Sequence, residues 1–114
     1  MDKMLESLRE YGADMDGAMG RFLKDMDLYK VCFTAFLNDE NFQKLEESLL
    51  EKNYIDAFES AHTLKGVAGN MGLTPIYQII CTLVEALRNN EHTRLDDLYK
   101  AITEERQKLG TLQK

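Results

Sequence analysis

The sequence predicts an all-α protein: an up-down antiparallel four-helix bundle with one or two short extra N-terminal helices. Proline occurs once in 114 residues and glycine seven times, which favours long uninterrupted segments with short joints. Apolar residues recur at helical spacing, and no segment alternates as a half-buried strand does. Four longer helices joined by short links are typical of an up-down bundle.

Length and charge narrow the classes of function. A chain of 114 residues suits one ordinary domain, so we expect a single domain over 1–114. The formal net charge of -6 argues against nucleic-acid binding and favours a protein partner. No apolar run approaches the roughly 20 residues that span a bilayer. The N-terminus lacks the apolar stretch of a signal peptide, so we expect a cytoplasmic protein that does not contact membranes.

Two short helices are predicted at the N-terminus, followed by one long helix. The first ends at Gly12, and Asp14 or Asp16 caps the second. The long helix begins at Asp25 or Asp27 and meets no breaker before its last apolar residue, Leu49. The apolar stripe of the first helix consists of Met1, Met4, Leu5, Leu8 and Tyr11.

The next helix opens at Asn53, which has Asp56 three residues on, as in a capping arrangement. Gly72 supplies a left-handed stop, Thr74 a cap and Pro75 the first helical position of the following helix. These three residues predict a tight turn between two antiparallel helices.

The helix after this turn has the clearest pattern in the chain. Asn89 and Asn90 end it, and Thr93 with Asp96 opens the last helix. Its apolar residues recur every third or fourth position, as in an amphipathic helix. They are Ile76, Ile79, Ile80, Leu83, Val84 and Leu87.

One predicted helix carries a histidine, a lysine and two glycines on a single strip. At about 100° per residue, this strip lies opposite the apolar side of the helix, so His62 is expected to face solvent. Each glycine inside a helix costs roughly 0.5 to 1 kcal/mol relative to alanine, which indicates that a partner comes close there. The strip consists of His62, Lys65, Gly66 and Gly69.

Lys65 lies one helical turn beyond His62. Its ammonium group is therefore placed to hold a phosphate attached to the ring. The alternative is an ordinary solvated lysine.

By helical angle, Ile55 and Phe58 lie on the histidine side. They are candidates for a partner-docking patch, to which we add Glu59. The alternative is that the two apolar side chains pack under the N-terminal helices, and the sequence favours neither reading.

Two polar residues of the following helix are further candidates. Glu85 is about as far from the turn as His62, so its carboxylate is placed to orient the ring, although an ordinary solvated glutamate is the alternative. Gln78 lies nearer the turn and is expected to line the edge of the same surface.

Other classes of function are disfavoured. Cys32 and Cys81 match no zinc or redox spacing and are expected to be reduced, buried thiols. The inward positions are aliphatic, so we expect no metal site. An enzyme that used His62 as a general base would need a concave pocket and a second catalytic group, and one exposed histidine with a lysine offers neither.

The run from His62 to Gly66, with the segments 69–73 and 83–88, resembles the histidine-containing phosphotransfer (HPt) domains of bacterial phosphorelays. The segment 16–23 also fits that pattern. The resemblance covers roughly residues 12–110 and leaves 1–11 as an additional N-terminal helix.

The resemblance implies a two-component signalling function. His62 would accept a phosphoryl group from the aspartyl phosphate of a response-regulator receiver domain and pass it to another receiver aspartate. Lys65 would stabilise the phosphoryl group, Gly66 would leave room for it, and Glu85 stands about where a polar residue helps to hold the ring.

The implied partners are receiver domains and a hybrid histidine kinase. No cofactor is expected on this chain, and Mg²⁺ is expected from the receiver. The protein would be a monomeric phosphohistidine carrier rather than an enzyme. The initiator Met1 favours a free-standing protein. The alternative is a non-catalytic helical adaptor that docks a receiver or a partner helix without phosphotransfer.

Overall fold

The computed structural model describes residues 2–113, which form seven α-helices and no strand. The helices are α1 (Lys3–Tyr11), α2 (Met15–Arg21), α3 (Met26–Leu37), α4 (Glu40–Leu50), α5 (Tyr54–Asn70), α6 (Thr74–Arg88) and α7 (Leu95–Thr111). The all-helical prediction is confirmed, while Met1 lies outside the described residues. Across residues 2–113, every helix is too short or too polar to cross a membrane.

The core is built mainly between the last four helices. Helix α5 packs against both α4 and α6, α6 packs against α7, and α7 returns to contact α3 and α4. Burying a leucine or isoleucine side chain contributes about 1.5 to 3 kcal/mol, so these contacts hold the bundle together. Fully buried residues at its centre include Leu45, Ala57, Ala61, Leu64, Ile80, Leu83, Val84 and Ile102.

The prediction of one long helix reaching Leu49 is wrong, because α3 ends at Leu37 and α4 begins three residues later. The Asp39 side chain accepts a hydrogen bond from the Asn41 N–H at 2.8 Å and caps α4. From α7, Arg106 Nε donates to the Leu37 carbonyl at 2.9 Å. The break is stable because these groups satisfy the backbone atoms that a continuous helix would have paired.

Several local start and stop signals are confirmed. Asp14, Asp25 and Asn53 each accept a hydrogen bond from the backbone N–H three residues on, at 3.0 to 3.2 Å. Gly12 ends α1 in the left-handed conformation, with a φ of 108°. Short polar side chains thus cap the starts of these three helices, and a glycine ends α1.

The predicted caps at Thr74 and Thr93 are wrong. Thr74 is the first residue of α6 and Leu73 occupies the cap position, because the Thr74 hydroxyl donates back to the Gly72 carbonyl at 3.3 Å. Residues 93–94 form a turn, and α7 begins at Leu95 without a side-chain cap. Helix α6 thus begins one residue earlier than predicted, with Pro75 as its second residue, whereas α7 begins later than the pattern at Thr93 predicted.

The two cysteines are free thiols. Cys32 and Cys81 are half-buried rather than buried as predicted. Cys32 packs against the core but is only partly covered by it, so a position in an apolar stripe did not lead to full burial.

The end of α5 is held by residues from the N-terminal helices. Arg21 Nε donates to the Asn70 carbonyl at 2.8 Å, and the Tyr29 hydroxyl donates to the Met71 carbonyl at 2.8 Å. A helix leaves its last carbonyls without internal partners, so donors from α2 and α3 satisfy them. The N-terminal segment therefore fixes the end of the helix that carries His62.

Gly72 is required by both its backbone conformation and its surroundings. Its φ is +69°, and a Cβ there would lie 2.4 Å from the Asp14 carbonyl oxygen.

We expect Gly72→Ala to lower the free energy of unfolding by at least about 2 kcal/mol, measured by urea denaturation. The matched control is Gly110→Ala in α7, where nothing lies within 4 Å. It should raise the free energy of unfolding by roughly 0.5 to 1 kcal/mol, and equal values for the two variants would contradict this assignment.

Candidate functional site

The buried side of α5 determines which residues it presents to solvent. Its apolar residues are spaced at three and four positions and face the core, which turns the intervening residues outward. His62 and Gly66 are exposed, and Lys65 is half-buried. The prediction of an outward-facing imidazole is confirmed. The buried apolar residues are Ala57, Ala61, Leu64 and Ala68.

Five of the predicted site residues line one open groove of about 550 Å³, which we call the histidine groove. The rest of its lining comes from Asp14 and α2, from the last turn of α5, from the joint between α5 and α6, and from the first turns of α6. The histidine groove therefore contains the strip predicted on α5 together with Gln78, which was predicted to lie at its edge. These five are His62, Lys65, Gly66, Gly69 and Gln78.

The two glycines of the strip differ in their surroundings. A Cβ at Gly66 would meet nothing within 4 Å, so this position leaves open space one turn from His62. A Cβ at Gly69 would lie 3.0 Å from the Tyr77 ring. The missing side chain of Gly69 therefore makes room for Tyr77 of α6 rather than for a visiting group, contrary to the expectation from the sequence.

Two cationic side chains, Arg21 and Lys65, line the histidine groove, and they differ in their hydrogen bonds and salt bridges. Arg21 donates to the carbonyls of Gly69 at 3.2 Å and Asn70 at 2.8 Å, so its guanidinium is engaged at the end of α5. Within residues 2–113, Lys65 takes part in no salt bridge. Lys65 is thus the cation that remains available one helical turn from the imidazole.

Glu85 lies outside the histidine groove and pairs with a different residue. Its carboxylate accepts a hydrogen bond from Arg88, one turn further along α6. In the part of the chain described, the His62 imidazole makes no hydrogen bond to Glu85 or to any other residue. The expectation that this carboxylate holds the ring is therefore not met by a direct contact.

The side chain that approaches His62 is Phe58, one turn earlier on α5. The two ring centroids are 5.8 Å apart, with the planes tilted by 31°. Phe58 is half-buried, packs against the core, and carries the Arg88 guanidinium 5.5 Å from its ring centroid. These two ring contacts are therefore with residues of α5 and α6. The i, i+4 spacing of Phe58 and His62 is the signal in the sequence that indicates this contact.

The remaining docking candidates lie at the surface. Ile55 is 75% exposed and shares an apolar depression with Phe58 and Leu87. Glu59 is exposed and also lines a polar groove between α4 and α5. Their use by a partner stays a prediction.

A scan against protein-family models matches residues 37–112 to the Hpt domain. The match spans more than half of the chain and includes α4 to α7, so the chain belongs to the Hpt domain family. Hpt domains serve histidine phosphotransfer in phosphorelays and interact with receiver domains and kinases. In searches of curated proteins and of solved structures, nothing matched. The wider limits of 12–110 stay a prediction.

The different surroundings of the two glycines can be measured. Gly66→Ala should raise the free energy of unfolding by roughly 0.5 to 1 kcal/mol, because it adds helix propensity and meets no neighbour. Gly69→Ala should gain less, because the Tyr77 ring must move to admit the new methyl group.

A double-mutant cycle with Tyr77→Ala, followed by urea denaturation, tests the second case. The Tyr77→Ala background should restore the full gain to Gly69→Ala. Equal gains for Gly69→Ala in both backgrounds would show that Tyr77 does not restrict this position.

Proposed function

We propose that this chain is a phosphorelay intermediate in which His62 accepts a phosphoryl group from a receiver-domain aspartyl phosphate and passes it to another receiver aspartate. The observation that carries the proposal is the exposed His62, on a helix fixed by its buried side and beside Lys65, which takes part in no salt bridge within residues 2–113. Family membership supports the general reaction. The assignment of residues and of the order of transfer is the proposal.

The chemistry follows from the position of the imidazole. A ring nitrogen attacks phosphorus in line with the departing aspartate, so the N–P bond forms as the bond to the carboxylate oxygen breaks. The carboxylate leaves on the receiver, and the second transfer reverses these events on another receiver. The negative charge of the equatorial oxygens needs nearby cations, and Lys65 supplies one of them.

The other cation is assigned to the partner. In the described part of the chain, no three His, Cys, Asp or Glu side chains are grouped to hold a metal ion. We therefore assign Mg²⁺ to the acidic site of the receiver domain. The chain then acts as a phosphohistidine carrier, whose transfer chemistry is shared with its partner.

The proposal includes the directions of the helices. Helices α4 to α7 are joined by short links, from Leu50 to Tyr54, from Asn70 to Thr74 and from Arg88 to Leu95. Links of this length join antiparallel neighbours, so we assign α4 to α7 an up-down order. In this arrangement His62 lies on the side wall of the bundle, where the flat face of a receiver domain has access.

His62→Gln should abolish phosphorylation while leaving the helical content intact. The measurement is transfer of labelled phosphate from a panel of phosphorylated receiver domains of the source organism. Labelled wild-type protein should carry phosphate that is labile in acid and stable in alkali, with circular dichroism as the check on folding.

His92→Gln is the matched control, because His92 stacks on Tyr54 at 3.7 Å between ring centroids and does not line the histidine groove. It should keep the label. Label retained by His62→Gln would refute the proposal. Receiver binding without any label on the wild-type protein would favour the adaptor.

Lys65→Ala should lower the maximal rate of transfer by about 10- to 100-fold, because it removes the free cation beside the phosphoryl group. Lys65→Arg should recover part of that rate, since it restores the charge with a different shape. Single-turnover kinetics with a saturating phosphorylated receiver give the rate. An unchanged rate for Lys65→Ala would remove Lys65 from the mechanism.

A further inference from the structure

The orientation of the His62 ring has no hydrogen-bonded support within residues 2–113. An exposed imidazole rotates about two side-chain bonds, so only some of its orientations point a nitrogen at an incoming phosphorus atom. The ring contact found at His62 is with Phe58, at 5.8 Å between centroids. Aromatic pairs at this separation attract each other and favour tilted or offset arrangements.

Phe58 is itself held from the side of α6. The Arg88 guanidinium lies 5.5 Å from the Phe58 ring centroid, within the range of a cation–π contact. Glu85 pairs with Arg88 at i, i+3 spacing on α6, which restricts the guanidinium. Three contacts thus connect Glu85 to Arg88, Arg88 to Phe58, and Phe58 to His62.

We propose that Phe58 is the positioning residue that orients the His62 imidazole for phosphoryl transfer, and that the Glu85–Arg88 pair holds Phe58 in place. The inference rests on the proposed function, since it concerns the same histidine. Phe58 touches no reacting atom and acts through the ring of His62. Glu85 then contributes to the site through two intermediate side chains.

The test compares Phe58→Leu and Phe58→Tyr in single-turnover transfer from a phosphorylated receiver. Phe58→Leu keeps an apolar side chain but removes the aromatic face, and it should lower the maximal rate by about 10-fold. Phe58→Tyr keeps the ring and should stay within about twofold of the wild-type rate. The half-saturating receiver concentration should change little in either variant.

Proton NMR of the His62 ring supplies a readout that a loss of stability would not move. The Phe58 ring current should displace the imidazole proton resonances, and Phe58→Leu should shift them toward values for a free histidine. Arg88→Met keeps the apolar stem and removes the charge. It should produce a smaller shift of the same sign and a rate loss of about threefold.

Leu50→Ala is the matched control, because Leu50 is an apolar side chain of α4 that is 77% exposed and does not line the histidine groove. It should leave the maximal rate and the His62 resonances unchanged. Unchanged rate and resonances in Phe58→Leu would overturn the role of Phe58, and unchanged values in Arg88→Met would overturn the role of the pair. These results are distinct from failure of the proposed function, which would appear as label retained by His62→Gln.

Discussion

The burial of one side of α5 is the constraint on which the site depends. Leu64 is completely buried, while His62 and Gly66 on the other side are exposed. Turning the helix by one residue, about 100°, would expose Leu64 at a cost of about 1.5 to 3 kcal/mol. It would also carry polar side chains toward an aliphatic interior. The outward position of the imidazole is therefore a consequence of core packing, and no local hydrogen bond is needed to produce it.

The pairing of α5 with α6 then builds two different environments on either side of His62. Toward the joint, the Tyr77 ring fills the space beside Gly69, which leaves Gly66 as the open position. Away from the joint, Arg88 lies over Phe58, whose ring is tilted toward the imidazole. Open space and an aromatic support thus lie on opposite sides of the same ring. This arrangement suits a group that has to be reached by a partner and still be oriented.

Most features set by neighbouring residues were predictable from the sequence, with the caps at Thr74 and Thr93 as exceptions, whereas features set by distant residues were not. Helical spacing predicted the strip around His62, and short polar side chains predicted caps such as Asp14. The break before α4 depends in part on Arg106, which is 69 residues from the carbonyl that it contacts. Likewise, Glu85 stood at a suitable distance from the turn, but its pairing with Arg88 became visible only with the packed helices. The number of residues between Glu85 and the turn predicted its position along the helix axis. Its contacts, in contrast, depended on the angle at which α5 and α6 pack.

The segment that precedes the family match takes part in the site. The match begins at residue 37, after α1 and α2 and at the last residue of α3. Yet Arg21 and Tyr29 satisfy carbonyls at the end of α5, and the Asp14 N–H donates to the Gly72 carbonyl at 2.8 Å. Without these donors, the last backbone groups of α5 would need water as their partner, and the joint would lose its link to the N-terminal helices. Because that joint sets where α6 begins, the N-terminal helices help to place Tyr77 and the edge of the histidine groove. The groove is therefore built by the N-terminal segment together with the matched region and not by the matched region alone.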